Sequence, residues 1–334
     1  MIEAMTMRDA FGRTIRDLRI SLTDRCNFRC FYCMPEHLAS LTPREKILSF
    51  EEIERLAEIL IGLGIRKIRL TGGEPLMRRS VSQLVRSLSR FKPELTDIAL
   101  TTNGSRFSEE AQELKAAGLD RVTFSLDSLN RQKFAEITGV DALDKVLEAI
   151  ELAIDLGFWP VKINAVIVRD RNDDEIVALA EFARRLGVCV RFIEYMPLDS
   201  ANAWRRDAVV SGKEIFQQIS QRFPLVAKAK RRDGVTAIEY LFADGTPGEI
   251  GIIAPITQNF CGDCSRLRLT ADGQLQTCLF SQTEYDLRAL LRSDASDSEI
   301  TDFILSAVSK KERGHRINEP SFTQPARSMR FIGG

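Results

Sequence analysis

Histidine is scarce in this 334-residue chain: there are two, alongside two tryptophans and four tyrosines. A zinc site that needs imidazole ligands has little to draw on. Net charge is missing too, since Lys+Arg and Asp+Glu both number 47. No global field draws the protein to nucleic acid or to an anionic membrane surface, so any polyanion binding has to be local. No apolar run reaches the length of a membrane-spanning helix, and residues 1–19 hold acidic residues without a signal-peptide core, so a cytoplasmic protein is expected. With 44% hydrophobic and 28% charged residues, the chain can bury a large core, and its length suits one big domain plus a smaller one.

What is present is a pattern of cysteines. Six of the seven fall into two groups, Cys26, Cys30, Cys33 and Cys261, Cys264, Cys278, a ligand pattern rather than a disulfide framework. Each group has three members where a structural zinc site wants four, whereas a four-iron cluster on three thiolates keeps one iron open for another ligand. The zinc alternative stays open for both, completed by His37 or Cys189 in the first group and by His315 in the second. Cys189 stands alone in the apolar run Gly187–Ile193 and reads most simply as a buried strand residue.

Short β-rich runs alternate with helix-period segments, which points to successive βα units. Strands are expected over Asp17–Leu22, Lys67–Thr71, Asp97–Thr101, Arg121–Ser125, Val161–Val168 and Val190–Glu194. Helices are expected over Phe50–Leu63, Ser80–Arg90, Ser108–Ala117, Ala142–Leu156 and Asp173–Leu186. Six such repeats are too few for a standard eight-stranded barrel, so the fold class is α/β, with a partial, open (βα)6 barrel over 1–197. After Met196 the pattern changes, and 198–334 reads as a smaller domain holding a helix over Gly212–Arg222, a basic patch Lys228–Arg232 and short strands. That patch reads as a solvated loop, since no aromatic residues interleave it.

The first cysteine group directly follows the first strand, where barrel enzymes place their chemistry. After the next strand comes Thr71-Gly72-Gly73-Glu74-Pro75, in which two glycines let the backbone approach a ligand and Glu74 offers a carboxylate to a ligand ammonium. In Ser265-Arg266-Leu267-Arg268-Leu269, period-2 alternation puts Arg266 and Arg268 on one face, suited to a phosphate beside the second cysteine group. Exposed, solvated arginines are the plain alternative. Arg19, Arg69 and Lys162 add cations on strands, where burial is costly unless an anion pairs them.

Cys-x3-Cys-x2-Cys with an aromatic residue before its last cysteine, followed by Gly-Gly-Glu-Pro, resembles the radical S-adenosylmethionine superfamily. That resemblance implies a partial (βα)6 barrel, a 4Fe-4S cluster that binds S-adenosylmethionine at its open iron, and a 5′-deoxyadenosyl radical. With Leu18–Cys26, Thr101–Gly104, Ser125–Ser128, Val161–Asn164, Arg191–Met196, the second triad and the terminal Gly333-Gly334, nearly the whole chain resembles the GTP 3′,8-cyclases of molybdenum cofactor biosynthesis. The family pattern implies two 4Fe-4S clusters, with Tyr32, Gly73, Glu74, Ser125 and Met196 at S-adenosylmethionine. It implies Arg19, Arg69, Thr101, Lys162, Asn164, Arg191, Arg266, Leu267 and Arg268 at GTP. Arg266, Arg268 and the Gly333-Gly334 tail would support the radical chemistry, which joins ribose C3′ to guanine C8. The product would pass to a separate cyclic pyranopterin monophosphate synthase, and a homodimer is implied. Two other classes remain open, a radical enzyme that modifies peptides and a zinc-dependent binding module.

Overall fold

The computed structural model describes residues 6–34, 41–198, 204–228, 234 and 236–333. His37, Gly334 and Ala229–Arg232 of the basic patch lie outside the described residues. Among the described residues, twelve strands form one sheet. The first six are β1 (Asp17–Ser21), β2 (Lys67–Thr71), β3 (Asp97–Thr102), β4 (Arg121–Ser125), β5 (Lys162–Ile167) and β6 (Cys189–Glu194). They pair in chain order and all in parallel, because each return runs through a helix on the outer face.

Those helices are α1 (Phe50–Gly62), α2 (Val81–Ser89), α3 (Phe107–Ala116), α4 (Arg131–Thr138), α5 (Leu143–Asp155) and α6 (Ile176–Leu186). Their starts and stops are local: Ser49 and Glu52 close a capping box on α1, and Gly187 ends α6 at φ 67. The expected ends agree to within a residue or two, except that Asp173–Glu175 forms a separate 3-10 turn before α6. The eight-residue α4 was not anticipated; its polar sequence RQKFAEIT carries little helical period.

The segment from 198 onward, expected as a domain of its own, joins both edges of the same sheet. Beyond α7 (Gly212–Arg222) it supplies β7 (Leu225–Ala227), β8 (Ile238–Phe242), β9 (Glu249–Ile253), β10 (Arg266–Leu269), β11 (Gln274–Gln276) and β12 (Tyr285–Asp286). β9 lies parallel beside β6 and β10 parallel beside β1, so eight parallel strands line the lumen while β7–β8 and β11–β12 trail antiparallel at the margins. α8 (Leu287–Leu291), α9 (Asp297–Ser309) and α10 (Met329–Ile332) follow. Leu267, Leu269, Ile250 and Ile252 share one core with Leu18, Ile20 and Ile68. A small separate core of Leu198, Val209, Ile256, Phe280 and Ile317 packs around the connections. Among the described residues no helix is long and apolar enough to cross a membrane.

Strand alternation sorts these residues into two layers. Leu18, Ile20, Ile68 and Leu70 point to the helices and are fully buried. The intervening positions face the lumen, where the register sets Arg19 directly between Arg268 on β10 and Arg69 on β2.

Candidate active site

The first cysteine group occupies the loop at the carboxyl end of β1. Its main chain is held on the end of α4, where Arg29 N donates to Thr138 O at 2.7 Å and Phe31 N to Ile137 O at 3.2 Å. The loop is also zipped to the turn after β2. Gly73 N donates to Thr23 O at 2.7 Å and Glu74 N to Arg25 O at 2.8 Å. A Cβ on Gly73 would meet Arg25 O at 2.4 Å, and one on Gly72 would meet Thr23 O at 2.5 Å. The close approach that these glycines permit is therefore first of all to the cysteine loop itself.

The Glu74 carboxylate, expected at a ligand ammonium, is engaged by the protein itself. It is fully buried, and its two oxygens accept from Leu76 N at 3.0 Å, the Thr102 hydroxyl at 2.8 Å and Asn103 N at 2.7 Å. Burial pushes its carboxyl up to about 7 against these donors. Its work is to fix the Thr101–Gly104 turn, whose Asn103 amide points at Cys26 Sγ. Tyr32 donates its hydroxyl to Asp127 at 2.6 Å, and Asp127 also accepts from Val166 N at 2.8 Å. Burial raises the Asp127 carboxyl to about 6. Sequence reasoning did not single out Asp127; its only signal was its place in Ser125-Leu126-Asp127-Ser128.

The second group lies towards the other end of the barrel. Arg266 pairs with Asp17 at the amino end of β1, so Cys264 sits about six residues, or roughly 20 Å along the strands, from the end of β1 that carries the first group. β9 ends at the carboxyl side and β10 begins at the amino side, so 254–265 crosses the seam between them and brings Cys261 and Cys264 with it. Cys278 follows β11, which runs back down beside β10. Burial alone raises the Cys264 thiol, but the Arg266 guanidinium and the Lys311 ammonium beside it bring it down to about 7. Burial raises Cys33 to about 12 and lifts the other four thiols as well.

All six cysteines edge one cavity of about 250 Å³, together with Tyr32, Gly73, Ser125 and Met196 from the first expected contact set. Arg19, Thr101, Asn164, Arg191, Arg266 and Arg268 line it too, and His315 stands in its wall near the second group. Among the described residues no three His, Cys, Asp or Glu side chains converge on a single-ion position. Three thiols per group leave a tetrahedral zinc one ligand short and suit a four-iron cluster, which takes each sulfur at a different iron and keeps one iron open. Cys189 is buried at the start of β6, outside that cavity.

A second cavity, of about 770 Å³, opens at the amino ends of the strands and shares Arg19, Arg191 and Arg266 with the first. Arg69 and Lys162 belong to it. Leu267 lines neither: its side chain is fully buried on the opposite face of β10, in the main core, which leaves only its main chain to meet a ligand. β10 is an interior strand, so Arg266 and Arg268 are not solvated edge arginines; Arg268 is 3% exposed.

These lumen cations are short of anions. Among the described residues no carboxylate forms a salt bridge with Arg19, Arg69, Arg191, Arg266 or Arg268, and Lys162 reaches Glu239 only at 3.9 Å. Arg69 donates to the Thr101 and Thr123 hydroxyls at 3.0 Å each. Among the described residues, the buried Nε groups of Arg191 and Arg266 and the buried Oδ1 of Asn164 have no partner. Burial and then neighbouring cations lower Arg69 and Arg268 to about 9 and push Arg19, Arg191 and Lys162 down. Such an array leaves the lumen positive and suits it to a ligand of high negative charge.

Gly333 reaches the same region. It lies at φ 75 against the carboxyl ends of β1 and β2, where a Cβ would meet Thr71 Cγ2 at 2.5 Å, and its carbonyl accepts from the Arg268 guanidinium.

The description radical SAM superfamily matches residues 20–183, and Molybdenum Cofactor Synthesis C matches residues 188–317. A GTP 3′,8-cyclase of Rhodopirellula baltica is 45% identical over 337 residues, covering 100% of this chain and 94% of its own. That of Syntrophomonas wolfei is 44% identical, covering 98% of this chain and 100% of its own. Among solved structures, the chain is similar in fold to Streptococcus suis SuiB bound to S-adenosylmethionine. The TM-score is 0.62 at 14% identity, over 94% of this chain and 76% of that one.

Proposed function

The chain belongs to the GTP 3′,8-cyclase family of radical S-adenosylmethionine enzymes, and from that premise we propose how its own residues serve the reaction. The first triad would hold a 4Fe-4S cluster with S-adenosylmethionine at its open iron, and the second a 4Fe-4S cluster beside the guanine. When bound, the first cluster and S-adenosylmethionine supply the 5′-deoxyadenosyl radical that takes the ribose C3′ hydrogen, so that C3′ joins guanine C8.

The residues contribute position and charge. Gly73, Tyr32, Ser125 and Met196 shape the wall at the first triad. Asp127 holds the Tyr32 ring in place through its hydroxyl. Arg19, Arg69, Lys162, Arg191, Arg266 and Arg268 take the triphosphate, which supplies the charge that the single long Lys162–Glu239 pair leaves unmatched. Thr101 and Asn164 add neutral polar contacts on the lumen wall. Gly333 brings a main-chain carbonyl and no side chain to the crowded carboxyl end, held there by Arg268. The protein would work in the cytoplasm, where free thiols persist, as a homodimer that passes its product to a cyclic pyranopterin monophosphate synthase.

The observation that carries the substrate reading is the row Arg268, Arg19, Arg69 in register across three strands, with no salt bridge to any of the three among the described residues. A peptide would need a run of acidic side chains to neutralise such a row, whereas a triphosphate brings that charge in one group. The test is anaerobic reconstitution followed by S-adenosylmethionine, GTP and dithionite. A brown protein with about eight irons per chain is expected, together with 5′-deoxyadenosine and a cyclised nucleotide. Formation of deoxyadenosine with GTP untouched would sink the substrate assignment; colourless protein carrying zinc would sink both clusters.

A further inference from the structure

Two buried cations outside the lumen each bind the main chain next to the second cysteine group. Arg13, 8% exposed, comes from the segment before β1. Its Nε pairs with Asp9 at 2.5 Å, Nη1 donates to Cys261 O at 2.8 Å and Arg313 O at 2.9 Å, and Nη2 donates to Glu312 O at 2.5 Å. One guanidinium thus ties the loop of Cys261 to the chain after α9. Lys311, 3% exposed, donates its ammonium to Arg266 O at 3.0 Å and to Thr277 O. Arg266 is two residues past Cys264, and Thr277 directly precedes Cys278. Each cysteine of the triad therefore has a carbonyl within two residues of it held by one of these two ions, although Cys278 arrives on a different segment from Cys261 and Cys264.

Burying an ammonium on carbonyls alone is costly, and no carboxylate is bridged to Lys311 among the described residues. A trianionic thiolate set gives the charge a use, because the cation offsets its repulsion across a short distance of low dielectric. The same charge favours the more negative, reduced state of whatever metal group the thiolates hold.

We infer that Arg13 and Lys311 are positioning residues for the second cluster: Arg13 sets the geometry of the thiolate triad and Lys311 sets both its geometry and its charge. The inference rests on the second triad holding iron, as proposed above. The parent for the test is full-length protein with Cys26→Ala, Cys30→Ala and Cys33→Ala, reconstituted anaerobically so that only the second site can load.

If that parent takes up no iron, the two-cluster reading fails and the present inference with it. If it loads, Lys311→Met should release iron to a chelator at least tenfold faster and shift the cluster's reduction potential, followed by electron paramagnetic resonance, to more negative values. Lys311→Arg should restore the potential. Arg13→Lys, which keeps the charge but cannot reach three carbonyls and Asp9 at once, should hasten iron release and leave the potential in place. Parent-like release and potential in Lys311→Met and Arg13→Lys would overturn the assignment, as would a fall in melting temperature with both readouts unmoved. Should Lys311→Met not fold, an unchanged potential in Lys311→Gln would overturn the charge role equally.

Discussion

At the scale of single residues, the lumen is defined by cations whose burial makes sense only with a ligand present. Arg19 faces Arg268 and Arg69 directly across two strands, and like charges so placed repel. Arg19→Met should therefore leave the melting temperature of the ligand-free protein no lower than before, while GTP affinity falls roughly ten- to a hundredfold, as befits one lost charge-assisted contact. Equilibrium dialysis and calorimetry check the two halves, and unchanged affinity removes Arg19 from the site. Glu74 carries the opposite lesson. The residue type was legible and its role was not, because a carboxylate near a glycine turn serves a ligand or the turn alike, and only the fold shows Thr102 and Asn103 consuming it. Leu267 is similar: alternation already put it opposite the arginines, and burial in the core follows from that. With its pKa raised to about 7, Glu74 contributes stability that is fully present below the unfolded value near 4 and is lost as pH climbs through 7. Denaturation midpoints of the apo protein should accordingly decline from pH 5 to pH 8. Glu74→Gln should flatten that decline, which can amount to up to about 3 kcal/mol, while lowering the midpoint at pH 5 because its amide opposes Asn103 N–H. An equally steep decline in Glu74→Gln would refute the account.

Elements act here through their ends. The turn after β2 is stitched to the loop of the first triad, so a side chain at Gly73 must displace the Arg25 carbonyl. Gly73→Ala is expected to lose about half of the iron per chain, that of the first triad, with the second retained; full iron content would show that the loop tolerates the shift. The short α10 presents Gly333 at the same end, and Gly333→Val is expected to keep both clusters and the cation site but lose product formation, measured against wild-type deoxyadenosine yield. The inner elements were readable because each strand is a short run with aliphatic residues at alternate positions, followed by an amphipathic helix. α4 was not, since eight residues with only Phe134, Ala135 and Ile137 apolar give too little period. The approach of Gly73 to Arg25 was not legible either, because a glycine pair announces closeness without saying to what.

For the whole molecule, the sheet matters more than the two matched regions. A strand's sequence states that it will be buried and on which face, but not which strand lies beside it. Nothing in Arg266–Leu269 or Glu249–Ile253 therefore announced that these would continue the barrel in parallel. The consequence is physical: cutting the chain at 197 strips β10 from β1 and β9 from β6, opening two long parallel edges, and removes Leu267, Leu269, Ile250 and Ile252 from a shared core. Exposed edges with apolar flanks associate, and burial of four aliphatic side chains contributes on the order of 6–12 kcal/mol, comparable with the entire stability of a typical domain. A fragment of residues 1–197 should therefore elute as aggregate, bind a hydrophobic dye and melt without a cooperative transition, even when its three cysteines are reconstituted with iron. A monomeric fragment with a sharp transition, able to cleave S-adenosylmethionine under dithionite, would mean that the first six βα units fold independently. In that case the C-terminal strands would serve the cation-lined cavity alone and not the barrel that encloses it.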